Sequence, residues 1–285
     1  MKPLITRKES KRYPGLFVKK YVKKVFFDNL WNQDPELIES RGHVETSDGK
    51  IVIRPFTKIF NRFENGMDID RDEVCLYVNK INGFMAAATW VPEVNDVVIS
   101  TTGSLDSIFV DIAKKYLEHL EPLIREQKYT YIFEIVDSDD PHIIPEKVGA
   151  YLIGARDVND SSPYFSSLKH EEDLDLIANA FDVMRPHWGI SRFSNIVNEV
   201  KLSHHEGVVV YGQQSGKVLK LKSPYYLTLK AIARKKDIFS LNKKLVDEEY
   251  YPLIDHLTSI GDQFTMMDEQ MRLEYMRNFI QDNIK

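Results

Sequence analysis

Lys80-Ile81-Asn82-Gly83-Phe84 sits between two apolar runs, Val74-Cys75-Leu76-Tyr77-Val78 and Met85 to Trp90. Both runs have strand composition. Asn-Gly between two strands predicts a hairpin, because both residues tolerate positive φ. Lys80 then stands at a rigid strand end, where an amine can be presented as a nucleophile. A lysine before a turn is more commonly just solvated. The pentapeptide takes on meaning only beside the rest of the chain.

The chain has 285 residues, 43% hydrophobic and 28% charged. That is enough for one large domain, or one with a small appendage. A net charge of −5 gives no general sign of nucleic-acid binding. The charge is uneven, however. The first 24 residues hold nine Lys/Arg, among them Lys19, Lys20, Lys23 and Lys24, against Glu9 alone. Such a block either tracks a phosphate backbone or guards a sheet edge. A single cysteine, Cys75, excludes an intramolecular disulfide and a Cys-cluster zinc site. No apolar run reaches membrane-spanning length and the N-terminus has no signal-peptide core, so the sequence predicts a cytoplasmic protein with no membrane partner.

Working outward, Leu16-Phe17-Val18 and Val25-Phe26-Phe27 read as strand segments. Ser47-Asp48-Gly49 between Glu39–Thr46 and Ile51–Phe56 is a hairpin signal. Thr57 to Phe63 interleaves aromatic and basic residues, as a strand with one buried face or a base-stacking segment does. Val97 to Ser100 reads as a strand. Ser104 is a candidate N-cap for a helix over Leu105–Gln127, with Ile108, Ile112, Ala113, Tyr116, Leu117 and Leu120 as its apolar stripe. Tyr129–Val136 reads as a strand with one acid, Glu134, in an apolar run; a buried acid there needs a partner. Tyr151–Asp157 is another strand, and 171–182 and 191–200 read as helices. Glu206–Tyr211 and Val218–Lys222 form a hairpin around Gly212–Gly216. Lys220 and Lys222, two apart, share a face of their strand. From Ser223 on the pattern is helical, with a capping box at Thr265–Asp268. His204-His205 and Asp137, Asp139 and Asp140 read as loop and turn residues rather than metal ligands.

An isolated lysine, an acid in a central strand, an acid-Gly before a β-branched run, and Lys-x-Lys occur here in that order. The order resembles the covalent nucleotidyltransferases, which include ATP-dependent ligases and mRNA capping enzymes. Glu39-Ser-Arg41-Gly42, Arg54-Pro-Phe-Thr-Lys58-Ile-Phe60-Asn61, Gly103-Ser104, Phe133-Glu134-Ile135-Val136, Glu206-Gly207-Val208-Val209 and Lys220-Leu-Lys222-Ser223 are similar to blocks of the RNA ligase 1 family of tailed phages. The resemblance covers about residues 16 to 226. It implies an α+β nucleotidyltransferase domain over 1–222, with ATP-grasp-like antiparallel sheets flanking an ATP cleft, and a small all-α domain over 223–285.

The resemblance also implies roles. Lys80 becomes AMP-linked, and Gly83 of the same motif borders the nucleotide. Arg41 and Lys58 contact the ATP phosphates, and Phe60 lies beside the nucleotide. Glu134 contacts the ribose or a metal-bound water. Glu206 is linked to the metal, Mg²⁺ or Mn²⁺, and Lys220 and Lys222 act near the α-phosphate. The implied partner is RNA with 5′-phosphate and 3′-hydroxyl ends, in RNA repair with tRNA as one candidate, and the implied protein is a monomer, in a host's cytoplasm if phage-encoded. Two positions depart from the family: Asn82 replaces the usual Asp, and Thr102 replaces a lysine that some members carry before Gly-Ser.

The chemistry wants these residue types. An ordinary lysine has a pKa of about 10.4, leaving roughly one in a thousand neutral near pH 7.4. Lys220, Lys222 and Mg²⁺ near Lys80 are expected to lower that value and to stabilise charge on the α-phosphate. A capping-type guanylyltransferase fits the Lys-x-Lys strand equally. A non-catalytic RNA-end-binding protein fits the departures at Asn82 and Thr102. A DNA ligase fits less well, because no OB-like β pattern follows Ser223.

Overall fold

The computed structural model describes residues 3–126, 128–159, 167–235, 237–241, 243 and 246–284. The chain begins with β1 (Ile5–Glu9), β2 (Leu16–Tyr21), α1 (Lys23–Phe27), α2 (Glu36–Glu39), β3 (Arg41–Thr46) and β4 (Ile51–Ile53). Next come β5 (Phe60–Asn61), β6 (Val74–Asn79), β7 (Phe84–Val91), β8 (Asp96–Thr101), α3 (Ile108–Leu117) and α4 (Glu121–Glu126). β9 (Tyr129–Val136), β10 (Gly149–Asp157), α5 (Glu171–Phe181), β11 (Trp188–Arg192), α6 (Phe193–Lys201), β12 (Gly207–Gly212) and β13 (Val218–Lys222) complete the sheets. The described C-terminal helices are α7 (Pro224–Ala233), α8 (Tyr251–Ser259), α9 (Gly261–Met266) and α10 (Glu269–Asn283).

Three sheets form, ordered β1-β2-β3-β4, β10-β9-β7-β8 and β11-β6-β12-β13-β5. All pairings are antiparallel except β13 with β5. β7 is the hinge of the packing. Its Ala86 and Ala88 face the core beneath α3, α4 and α5, while Ala87 faces the core shared with the N-terminal sheet. Successive strand residues point to opposite faces, and alanines let both neighbours approach closely. In β9 the same alternation sends Tyr131, Phe133 and Ile135 into the helix-covered core. Glu134 is therefore turned to the other side. In the five-stranded sheet, Val208, Val210 and Leu219 pack against α6, so Val209, Tyr211 and Lys220 face away from it. The opposing faces of these two sheets enclose the cleft. This is an α+β fold, with antiparallel sheets flanking a cleft, followed by a helical C-terminal region.

The expected hairpin at Asn82-Gly83 does not form. β6 and β7 belong to different sheets, and neither Asn82 nor Gly83 has positive φ. The segment is a crossing from one wall of the cleft to the other. Asn82, 5% exposed, uses its amide for tertiary bonds instead of a turn. Other expectations shift as well. Val25 to Phe27 lies in α1 rather than a strand, because Val25 alone turns inward beside Trp31 and Leu37. Only Phe60 and Asn61 of the stretch 57–63 pair as a strand. The long helix starts at Ile108, not after Ser104. Its Ser107 N-cap makes no side-chain cap bond, and a 3₁₀ turn over Glu118–Leu120 breaks it. Ile108 is exposed, whereas Ile112, Ala113, Leu117 and Leu120 are buried. Gln127, its expected end, lies outside the described residues. Ser191 and Arg192 end a strand before α6 begins.

The C-terminal helices bury Leu229, Leu253, Leu257, Phe264, Leu273 and Met276 in one cluster, which also takes in Ile143 and Ile144. Ser223 caps α7, accepting from Tyr226 N at 3.1 Å, with Pro224 in the first turn. Asp268 alone caps α10, accepting from Met271 N at 2.8 Å. Thr265 of the expected capping box lies inside α9 and donates to Gly261 O. Arg272 is buried; its guanidinium donates to the carbonyls of Ala233 (3.3 Å), Phe264 (3.0 Å) and Thr265 (2.5 Å). It thereby satisfies carbonyls at the ends of α7 and α9 that the helices leave free. No described helix is long and apolar enough to cross a membrane.

Gly207 opens β12 at φ +131°, and an added Cβ would lie 2.0 Å from Leu221 O. Gly207→Ala must displace β13 or Glu206. The dihedral alone costs about 1–3 kcal/mol, and the clash adds to it. The expected result is a lower urea midpoint by circular dichroism; an unchanged midpoint would show that the strands give way freely.

Candidate functional site

Lys80 is the first residue past β6, and its N–H donates to Gly207 O at 2.9 Å. The crossing is then pinned twice. Gly83 N donates to Glu134 Oε1 at 3.2 Å. A Cβ on Gly83 would lie 2.2 Å from Ile135 O, so only glycine allows the main chain this close. Asn82 Nδ2 donates to Glu206 Oε2 at 2.6 Å, and its Oδ1 accepts from Ile144 N at 2.9 Å. These bonds set Lys80 between two acids from opposite walls. Its Nζ lies 3.2 Å from Glu206 Oε2 and 3.6 Å from Glu134 Oε1. Both acids are buried, at 2% and 8% exposure.

Burial alone would depress the Lys80 pKa. Glu134 and Glu206 outweigh it and hold the amine above its ordinary value, as the ammonium. The lowering expected from neighbouring cations is opposed here by two carboxylates in contact with the amine.

Beside Lys80 opens a cavity of about 430 Å³. One part of its wall is apolar: Phe56, Ile59, Phe84, Phe109, Ile153 and Val209. Another part is cationic, with Arg41 and Lys220. Among the described residues neither cation has an acidic partner. Lys220 is pushed down to about 6, first by burial and then by the charges of Lys58, Arg41, Lys222 and Lys80. Glu64 reaches Lys220 only at longer range, so cations outweigh acids at this wall, and an anion would balance them.

Lys220 and Lys222 share a strand face but differ in setting. Lys220 lines the cavity, whereas Lys222 Nζ contacts Glu206 Oε1 at 3.3 Å and lies 4.9 Å from the Tyr226 ring centroid. Lys58 and Phe60 stand behind the wall rather than on it. Lys58 is 7% exposed, bonds Glu64 at 2.8 Å and lies 4.4 Å from the Phe60 ring. Phe60 packs edge-on to Trp31 in the core beneath the N-terminal sheet. Phe60, expected beside the nucleotide, does not line the cavity; Phe56 does, and Gly154 leaves room for its ring. Glu39 of the Arg41 block braces the wall from behind, accepting from Thr57 Oγ1 (2.6 Å) and Arg156 Nη1 (3.1 Å). Phe56, Phe109 and Asn82's bridge were not singled out as site features from sequence. Their cue is three-dimensional: a ring over a glycine, and an amide buried between two sheets.

No group of three or more His, Cys, Asp or Glu positioned for a metal occurs among the described residues. Mg²⁺ commonly takes one or two carboxylates and completes its shell with water and phosphate oxygens. Glu134 and Glu206, converging on one amine, are hard oxygen donors of that kind. His204 instead stacks on Tyr225, at 4.5 Å. Asp137 accepts from Tyr116 Oη and from Asp139 N, as a turn residue.

An anion against Lys220 favours its ammonium and raises its pKa. Between the free value, about 6, and the higher bound value, binding takes up a proton. Affinity for inorganic tripolyphosphate is therefore expected to fall as pH rises through the neutral range and to level off at the acidic end. Calorimetry in buffers of differing ionisation enthalpy reads the proton uptake directly. Lys220→Met should remove it; equal uptake by that variant would assign the proton to another group.

The sequence profile of the family described as RNA ligase matches residues 39–230. No curated protein sequence matches the chain. Among solved structures, an archaeal ATP-dependent RNA ligase superposes with a TM-score of 0.56 at 14% identity, over 95% of this chain and 72% of that one. A second form of it gives 0.57 at 14%, over 96% and 73%. A protein of Aquifex aeolicus, provisionally named an ATP-dependent DNA ligase, gives 0.58 at 14%, over 98% and 78%. At these identities the structures show a shared fold. The family match extends over more than half of the chain and holds every block from Arg41 to Lys222: the chain belongs to the RNA ligase family.

Proposed function

We propose that the protein is an ATP-dependent RNA ligase that joins 5′-phosphate and 3′-hydroxyl RNA ends, as RNA repair requires, with broken tRNA as one such substrate. One observation carries the reading. A lysine held by two buried acids opens onto a cavity with an apolar wall for a base and two cations, Arg41 and Lys220, without acidic partners.

In the first step the Lys80 amine, once deprotonated, attacks the α-phosphorus of ATP. A P–N bond forms, the P–O bond to pyrophosphate breaks, and Lys80–AMP remains. The RNA 5′-phosphate then takes the AMP from Lys80, and a 3′-hydroxyl displaces AMP to form the phosphodiester. A divalent cation, Mg²⁺ or Mn²⁺, held by Glu134 and Glu206 would supply charge that draws the carboxylates off Lys80 and favours its neutral form. Lys220, on the cavity wall, stabilises charge growing on the transferring phosphate. Lys222, on the Glu206 side, orients that acid and remains available to the incoming RNA phosphate. Arg41 receives the departing pyrophosphate. We also assign residues 1–222 to a catalytic domain and 223–285 to a helical domain, and take a monomer as the working unit.

Incubation with α-labelled ATP and a divalent cation should leave label on denatured wild-type protein and none on Lys80→Ala, with the circular dichroism spectrum unchanged. Retention of label by Lys80→Ala would move the nucleophile elsewhere. Labelling by GTP instead of ATP would make the protein a guanylyltransferase. RNA binding with no label from either nucleotide would make it a binding protein.

A further inference from the structure

The cationic wall has an unassigned neighbour in the N-terminal sheet. β2 and β3 pair antiparallel, but a bulge falls at Gly42, so that Lys19 faces His43 and Lys20 faces Arg41. Gly42 takes the positive φ, +87°, that such an extra residue adopts. Residues directly opposite in a ladder share a face, and like charges placed so repel. Lys20 and Arg41 are such a pair. Arg41 lines the cavity.

The Lys20 side chain lies over the loop after β8. A Cβ added to Gly103 would sit 2.6 Å from Lys20 Cδ and 3.0 Å from its Nζ. Thr102, the residue before, is itself in the cavity wall and offers only a hydroxyl there. Nearby cations have acids to neutralise them: Lys19 bonds Glu36 and Glu45, Arg7 bonds Glu45, and Lys58 bonds Glu64. Among the described residues Lys20 has no acidic partner, and neither do Arg41 and Lys220. Arg41 and Lys220 thus line the cavity, and Lys20, exposed on β2, stands beside its rim over Gly103: three cations without ion-pair partners, from three elements. A single phosphate does not balance them; a polyphosphate chain does.

We propose that Lys20 is a third polyphosphate-binding residue, joining Arg41 and Lys220 on the outer phosphates of the nucleoside triphosphate. The assignment rests on the ligase reading for the identity of the triphosphate. Thr102 brings no charge to the wall, Lys20 brings one from β2, and Gly103 is glycine so that the lysine stem can cross it. Lys20 acts before AMP transfer and plays no part once pyrophosphate has left.

The test uses the full chain and two probes, inorganic tripolyphosphate and AMP. Lys20→Ala should weaken tripolyphosphate about tenfold, the scale of one charge-assisted hydrogen bond, and leave AMP unchanged. The ATP concentration for half-maximal Lys80 labelling should rise by the same factor. Thr102→Lys in the Lys20→Ala background should restore tripolyphosphate affinity, which a packing role for Lys20 would not allow. Unchanged tripolyphosphate affinity in Lys20→Ala, equal weakening of AMP, or no restoration by Thr102→Lys would overturn the proposal. Tripolyphosphate binding needs no chemistry at Lys80, so absent labelling in the wild type would count against the ligase reading and leave Lys20 to be judged by the binding data.

Discussion

The carboxylate of Glu206 is the contact on which the rest of the cleft depends. At 2% exposure it is a buried charge, and such a charge is costly unless paired and hydrogen-bonded. Three partners meet that demand: Asn82 Nδ2 at 2.6 Å, Lys80 Nζ at 3.2 Å and Lys222 Nζ at 3.3 Å. They come from the crossing segment and from β13. The acid itself precedes β12, fixed by Gly207 and by Ser223 N donating to Glu206 O at 3.0 Å. Removing any one partner leaves charge in a low-dielectric setting. The walls of the cleft are therefore tied together by electrostatics at the point where Lys80 stands.

The two ends of the cleft are biased in opposite directions. Around Lys80 the acids are in excess of what one amine requires, and the amine is kept protonated. Around Lys220 cations are crowded, and its amine is pushed toward neutrality. Neither bias serves the empty protein. On the proposed reading this charge separation would be lowered by an anion among the lysines and a divalent cation between the acids arriving together. Preorganised charge of this kind is what accelerates phosphoryl transfer, since little rearrangement is left for the reaction itself.

Much of the site could be read along the chain because strands have period two. Alternation alone placed Lys220 and Lys222 on one face, and a lone acid in an apolar strand marked Glu134 as needing a partner. The order of blocks carried the fold. What alternation does not encode is which strand lies across from which. Asn82-Gly83 has hairpin composition, yet no turn forms, because the buried amide is worth more between Glu206 and Ile144 than at a positive φ. Phe60 was expected at the nucleotide and lies in a core, for both positions want an aromatic ring. Lys20 was visible only as one of many lysines; its distinction from Lys19 is a one-residue bulge at Gly42.

Ile143 and Ile144 belong by sequence to the loop between β9 and β10, yet both side chains sit in the core of the C-terminal helices. The same Ile144 backbone holds Asn82. The helical region is thus part of the foundation under Lys80, not cargo carried behind it. Any rearrangement of those helices would pull on a two-bond chain, from Ile144 through Asn82 to Glu206, and so alter the electric field at Lys80. In a protein built this way, whatever touches the helices can speak to the amine without ever entering the cleft.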